Sequence, residues 1–131
     1  MNKFYTKYRV YYEDTDAGGI VYHANYLKYM ERARSDWVRS LDVDQQYLLE
    51  QSLAFVVIDM QIAFKQSAKL DDIVDVSCEI IKNSRASMVF AQQVMRDTQL
   101  LIDATVRVAC VDTQHNKPVA IPDVLLEQIQ K

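Results

Sequence analysis

Two carboxylates, two glycines and a histidine crowd into one stretch, Asp14-Thr15-Asp16-Ala17-Gly18-Gly19-Ile20-Val21-Tyr22-His23, directly ahead of a segment with helical spacing. Gly18 and Gly19 are the chain's only 2 glycines, and His23 is one of 2 histidines. The unpaired N–H groups at a helix start form a donor cluster with partial positive charge, suited to a carbonyl oxygen that is becoming an oxyanion. A carboxylate a few residues upstream, on a loop kinked by glycine, reaches the same carbonyl carbon directly or through one water. The chemistry this implies is acyl transfer without a serine triad. The competing reading is a plain turn whose Asp side chains satisfy backbone donors.

Other chemistries fit less well. Asp14, Asp16 and Gly19 fall at positions one, three and six of a calcium loop, but Gly18 stands at position five and Asn25 at position twelve, where a bidentate Glu is required. No metal is therefore expected. Adjacent glycines supply neither a dinucleotide fingerprint nor a phosphate-cradling loop, and no Gly-x-Ser-x-Gly is present. Cys78 and Cys110 lie in strand-like segments without metal-ligand spacing and read as buried free thiols.

The elements that must position this loop follow from periodicity. Phe4 to Tyr12 interleaves aromatic and polar residues and predicts a strand. Leu27, Met30, Ala33, Trp37, Val38 and Leu41 recur at helical steps, with Asn25 as the expected N-cap. A short second helix or turn is expected over Val43 to Gln51. The period then changes to two in four runs, Leu53 to Lys65, Asp72 to Asn83, Ala86 to Arg96 and Gln99 to Asp112, with Arg96 to Gln99 as a tight connection. The tail from Ile121 to Lys131 predicts a terminal helix, with Pro122 in its first turn. Strands joined by short loops pair antiparallel, and one amphipathic helix covers one face only. Apolar residues nevertheless line both faces of the later strands, so the second face must meet another surface, most simply a copy of itself.

The chain has 131 residues, half of them apolar, enough for one domain over residues 1–131 with a real core. Its net charge of −3 argues against a nucleic-acid binder. The longest apolar run, Leu53 to Ile58, is far below the ~20 residues that cross a bilayer, and Met1 to Val10 lacks a signal-peptide core. A soluble, cytoplasmic protein without a membrane span is expected.

Tyr12 to Leu27 together with Glu31-Arg32-Ala33-Arg34 closely resembles the hotdog-fold acyl-CoA thioesterases of the 4-hydroxybenzoyl-CoA type, in particular the YbgC-like branch associated with the tol-pal system. Leu53 to Val57, Lys69 to Asp72 and Ala109 to Asp112 extend the likeness over most of the chain. The resemblance implies an α+β hotdog fold: a five-stranded antiparallel sheet wrapped around one long helix, extended across a dimer and often assembled into a tetramer. It also implies Asp16, not Asp14, as nucleophile or general base, with the backbone N–H of His23 polarising the thioester carbonyl. The His23 imidazole is available to touch the acyl group or orient water, and equally to serve structure. The substrate-binding set comprises Gly18, Gly19, Tyr22, Asn25, Glu31, Lys82 and Arg85, where Glu31 is an alternative catalytic acid or a solvated partner of Lys28 or Ser35. Lys82 and Arg85 stand where related enzymes contact the nucleotide, but Ser84 and Ala86 thin that basic run and admit an acyl-carrier-protein substrate. No cofactor is implied beyond the coenzyme A of the substrate. A dehydratase acting on hydroxyacyl thioesters and a non-catalytic acyl-thioester binding module are the other two readings.

Overall fold

The structure, a computed structural model, describes residues 3–41 and 45–129. The period-two runs form antiparallel strands because alternate side chains can then bury on one face while every backbone group finds a ladder partner. The elements are β1 (Phe4–Arg9), α1 (Asn25–Ser40), α2 (Gln45–Glu50), β2 (Leu53–Phe64), β3 (Ile73–Asn83), β4 (Ser87–Arg96), β5 (Gln99–Asp112), β6 (Lys117–Pro118) and α3 (Asp123–Ile129). They make one sheet of order β1-β3-β4-β5-β2, with the two-residue β6 added beside β5. The long strands thus number five, as expected, and the sheet curls around α1 in hotdog fashion.

Local departures have local causes. β1 stops at Arg9 rather than Tyr12, since Tyr12–Asp14 turn into one 3₁₀ turn that tucks Asp14 inward. Asn25 is not the N-cap of α1; Ala24 holds that position without a side-chain bond, and Asn25 is drawn into the helix by Asp14. Leu27 is exposed, whereas Tyr26 and Tyr29 are buried beside Met30, Ala33, Trp37 and Val38. Tyr26 can take its place because its hydroxyl finds a partner, accepting the Ala68 N–H at 2.9 Å. Pro122 precedes α3 rather than opening it. Val43 and Asp44 of the expected second helix, and Gln130 and Lys131 of the tail, lie outside the described residues.

Two apolar clusters fill the space between helix and sheet. One, around Val21, Tyr29, Met30, Val74, Val94 and Ile102, lies under the loop ahead of α1. The other, around Trp37, Met88, Phe90, Cys110 and Leu125, lies toward the helix C-terminus. β2 forms one edge of the sheet, and Val56, Val57 and Ile58 on it are 42%, 44% and 54% exposed next to an irregularity in the β2–β5 ladder. A run of bare aliphatic side chains on an unpaired edge is a ready template for another strand.

Candidate active site

Asp14 and Asp16 divide the labour of the loop. Asp14 is 6% exposed, and its two carboxylate oxygens accept the Tyr11 N–H at 2.8 Å and the Asn25 side-chain amide at 3.0 Å. Its carbonyl accepts the Tyr22 N–H at 2.9 Å, so one residue ties the start of the loop to its end and to the first turn of α1. Among the described residues the buried Tyr29 hydroxyl has no hydrogen-bond partner, and burial, together with the nearby Asp14 carboxylate, raises its pKa.

Between these ties the chain doubles back. Gly19 donates to the Asp16 carbonyl at 3.0 Å, the Asp16 N–H donates to the Ile20 carbonyl at 3.0 Å, and Gly19 takes the left-handed φ of +79° that the turn requires. Val21 donates to the Ala68 carbonyl at 2.9 Å, and Ile20 bridges to Lys69, so the loop rests on residues 68–69. That support is fixed by the Arg96–Asp72 ion pair at 2.7 Å. Partial burial works against the Asp72 charge, but the Arg96 guanidinium and the Lys69 N–H outweigh it and hold its pKa below the usual value.

Asp16 itself is exposed, and the one hydrogen bond its carboxylate makes among the described residues is from the Gly18 N–H, at 2.8 Å. It lines a cavity of about 240 Å³ with Ile20, His23, Tyr26, Phe64 and Lys65. Among the described residues, the amides of His23 and Ala24 have no acceptor, while those of Asn25, Tyr26 and Leu27 donate to carbonyls three residues back. Asp16, with its exposed carboxylate, and His23, whose amide is open, thus line one cavity, the pairing that acyl transfer needs. The His23 ring packs on Tyr22 at 4.6 Å and edge-on to Phe64 at 6.2 Å between centroids. A Cβ at Gly18 would lie 3.2 Å from the Asp16 carboxylate oxygen, so Gly18→Ala is expected to turn that carboxylate aside and lower turnover about tenfold, with melting shifted by only a few degrees. Steady-state kinetics and a thermal melt of the same preparation check this.

The other sequence-derived residues scatter. Tyr22 is exposed and Asn25 serves the Asp14 clamp; neither lines the Asp16 cavity. Glu31 accepts the Ser35 hydroxyl at 2.8 Å and lines a different, larger cavity of about 260 Å³ beside β2. Lys82 and Arg85 are exposed at the far end of β3, roughly 30 Å along the strand from the loop's support. Phe64, Lys65, Gln66 and Ser67 line the Asp16 cavity without having been singled out from sequence, because only the sheet's curl brings the end of β2 to the loop.

A family model described as the thioesterase-like superfamily matches residues 10–129. An acyl-CoA thioesterase named YbgC from Haemophilus influenzae is 52% identical over 122 residues, covering 92% of this chain and 90% of that protein. An acyl-CoA thioester hydrolase of the same name from Escherichia coli is 41% identical over 124 residues, covering 94% and 92%. Among solved structures, a 1,4-dihydroxy-2-naphthoyl-CoA thioesterase from Synechocystis superposes with a TM-score of 0.91 at 22% identity, covering 99% of this chain and 97% of that one.

Proposed function

The chain belongs to the thioesterase-like superfamily and is an acyl-CoA thioesterase, and we propose that Asp16 drives the reaction while the amides of His23 and Ala24 hold the thioester oxygen. The observation that carries this reading is that Asp16, with its exposed carboxylate, and His23, whose amide has no acceptor among the described residues, line one cavity, with the open Ala24 amide next in the chain. The carbonyl oxygen sits on the two N–H groups, and charge builds there as the carbon becomes tetrahedral. Losing one such donor typically costs ~3 kcal/mol of transition-state stabilisation. On one route Asp16 takes a proton from water, the resulting hydroxide adds to the carbonyl carbon, and the C–S bond breaks as the proton passes to the departing thiolate. On the other, Asp16 adds to the carbon directly, the thiolate leaves with a solvent proton, and water hydrolyses the mixed anhydride. Neither route calls for a metal or redox cofactor; coenzyme A enters as part of the substrate.

The two-ended layout of the chain points to an assembled site. β2 runs from the larger cavity, lined by Leu53, Phe55 and Val57, to the Asp16 cavity, lined by Phe64. Antiparallel pairing of two β2 edges about a twofold axis covers Val56 and Ile58 and sets one copy's larger cavity beside the other's Asp16. Lys82 and Arg85 sit at the same end as Leu53, where Ala86 accepts the Cys110 N–H at 2.8 Å, so they too approach the partner's reaction cavity and its CoA phosphates. Placing Lys at both Val56 and Ile58 sets like charges across that axis. It is expected to give a monomer by light scattering with thiol release down more than about tenfold; an unchanged oligomer with full activity would refute the assembly.

Thiol release is to be followed with short, long and aromatic acyl-CoAs and with acyl-carrier-protein thioesters, with enoyl absorbance recorded alongside. Release of thiol without enoyl product supports hydrolysis. Enoyl formation would turn the assignment to a dehydratase, and tight binding without either product to a recognition module. Among the described residues no helix is long and apolar enough to cross a membrane.

A further inference from the structure

The larger cavity is apolar on all sides but one. Val38, Leu48, Leu53, Phe55, Met88 and Phe90 supply hydrocarbon, while α1 contributes Glu31, Arg34 and Ser35. Among the described residues Arg34 is held by a single hydrogen bond, from Nη1 to the Gln92 side-chain oxygen at 2.8 Å. Gln92 is fully buried and cannot turn away, because its amide group donates to the Met30 carbonyl at 3.0 Å and the Ser77 carbonyl at 3.3 Å. Of the five N–H donors of a guanidinium, the others have no acceptor among the described residues, and Glu31 forms no ion pair with it. Burial lowers the Arg34 pKa, which marks a charge short of solvent. A partly buried cation usually finds an anion or a set of acceptors, and here those places face a cavity.

We propose that Arg34 and Glu31 together recognise a hydroxyl group on the far part of the acyl chain, making a hydroxylated acyl thioester the preferred substrate. A guanidinium only donates and a carboxylate only accepts; a hydroxyl does both and completes the pair. A terminal methyl leaves the donors open, and a terminal carboxylate meets the Glu31 charge. The volume of about 260 Å³, set against a cavity of ~150 Å³ that takes benzene, suits a chain of about eight to ten carbons. The inference rests on the assignment of thioester chemistry to the Asp16 cavity, with the acyl chain reaching across the subunit boundary.

The test uses the full-length oligomer and three CoA thioesters of equal length: octanoyl, 8-hydroxyoctanoyl and the eight-carbon ω-carboxyacyl. Binding of each is measured by calorimetry to Asp16→Asn, which removes turnover, and thiol release is measured in parallel on the unaltered protein. The hydroxylated chain is expected to bind about thirtyfold tighter than octanoyl, and the carboxylated chain weakest. Adding Arg34→Met is expected to bring the hydroxyl-to-alkyl ratio to near one, and Arg34→Lys, which keeps the charge but loses the fork, to an intermediate ratio. Thermal melts confirm that each variant folds. Octanoyl binding as tightly as its hydroxylated counterpart, or a preference that survives in both Arg34 variants, overturns the proposal. If thiol release fails for all three while the binding ratio holds, the hydrolytic assignment falls and the recognition stands.

Discussion

Replacing Asp16 by Asn is expected to lower kcat for thioester hydrolysis about a thousandfold or more, while the melting temperature moves by no more than about 2 °C. The amide matches the carboxylate in shape, and its oxygen can keep accepting the Gly18 N–H that is the group's one hydrogen bond among the described residues. The turn therefore survives. What disappears is the capacity to take a proton from water or to attack the carbonyl carbon, and no acid of the same chain replaces it: Asp14 is consumed by its own donors, and Glu31 lines the other cavity, which in the assembled site takes the far part of the acyl chain. KM should change little if Asp16 acts in the transition state alone. Undiminished turnover by purified Asp16→Asn would remove this residue from the mechanism.

Asp14→Asn is expected to behave in the opposite way, failing first in stability. Both oxygens of Asp14 face donors, one a backbone N–H and one an amide NH₂. An Asn must present its own NH₂ to one of them, leaving buried donors unsatisfied at a cost of about 2 kcal/mol. For a chain of this size that lowers the melting temperature by roughly 6–10 °C. Activity should fall as well, because the same residue fixes the spacing between Asp16 and the His23 amide through the Tyr22 N–H. Differential scanning calorimetry beside kinetics separates the two aspartates: one variant stable and inactive, the other melting early. Equal melting of both would contradict the clamp.

Much of this was legible before any coordinates. Period two and period 3.6 are imposed by burial on one face, so β2 to β5 emerge within a residue or so of their sequence-derived limits, and β5 at the expected Gln99–Asp112. Trp37 and both cysteines are buried as their surroundings suggest. The residues misjudged are those whose partners are distant in sequence. Asn25 has the chemistry of a cap, but a carboxylate eleven positions upstream claims its amide. Leu27 falls on the expected apolar stripe yet is exposed, while Tyr26, outside that stripe, is buried with its hydroxyl accepting the Ala68 N–H. Lys65 and Ser67 carry no motif, and sheet curvature alone places them with Asp16. Lys82 and Arg85 show the converse, a credible cationic pair that the sheet carries away from Asp16 within one chain.

Cys78 and Cys110 are both fully buried, and burial pushes the Cys78 thiol up to about 12 and raises that of Cys110. Every turnover of this enzyme sheds a free sulfhydryl, and some of that product oxidises to its disulfide in aerated solution. Exchange with a protein sulfur requires an accessible thiolate, which neither side chain provides. The enzyme can therefore accumulate its own leaving group without forming mixed disulfides with it, and incubation with oxidised coenzyme A followed by its removal should leave the rate unchanged.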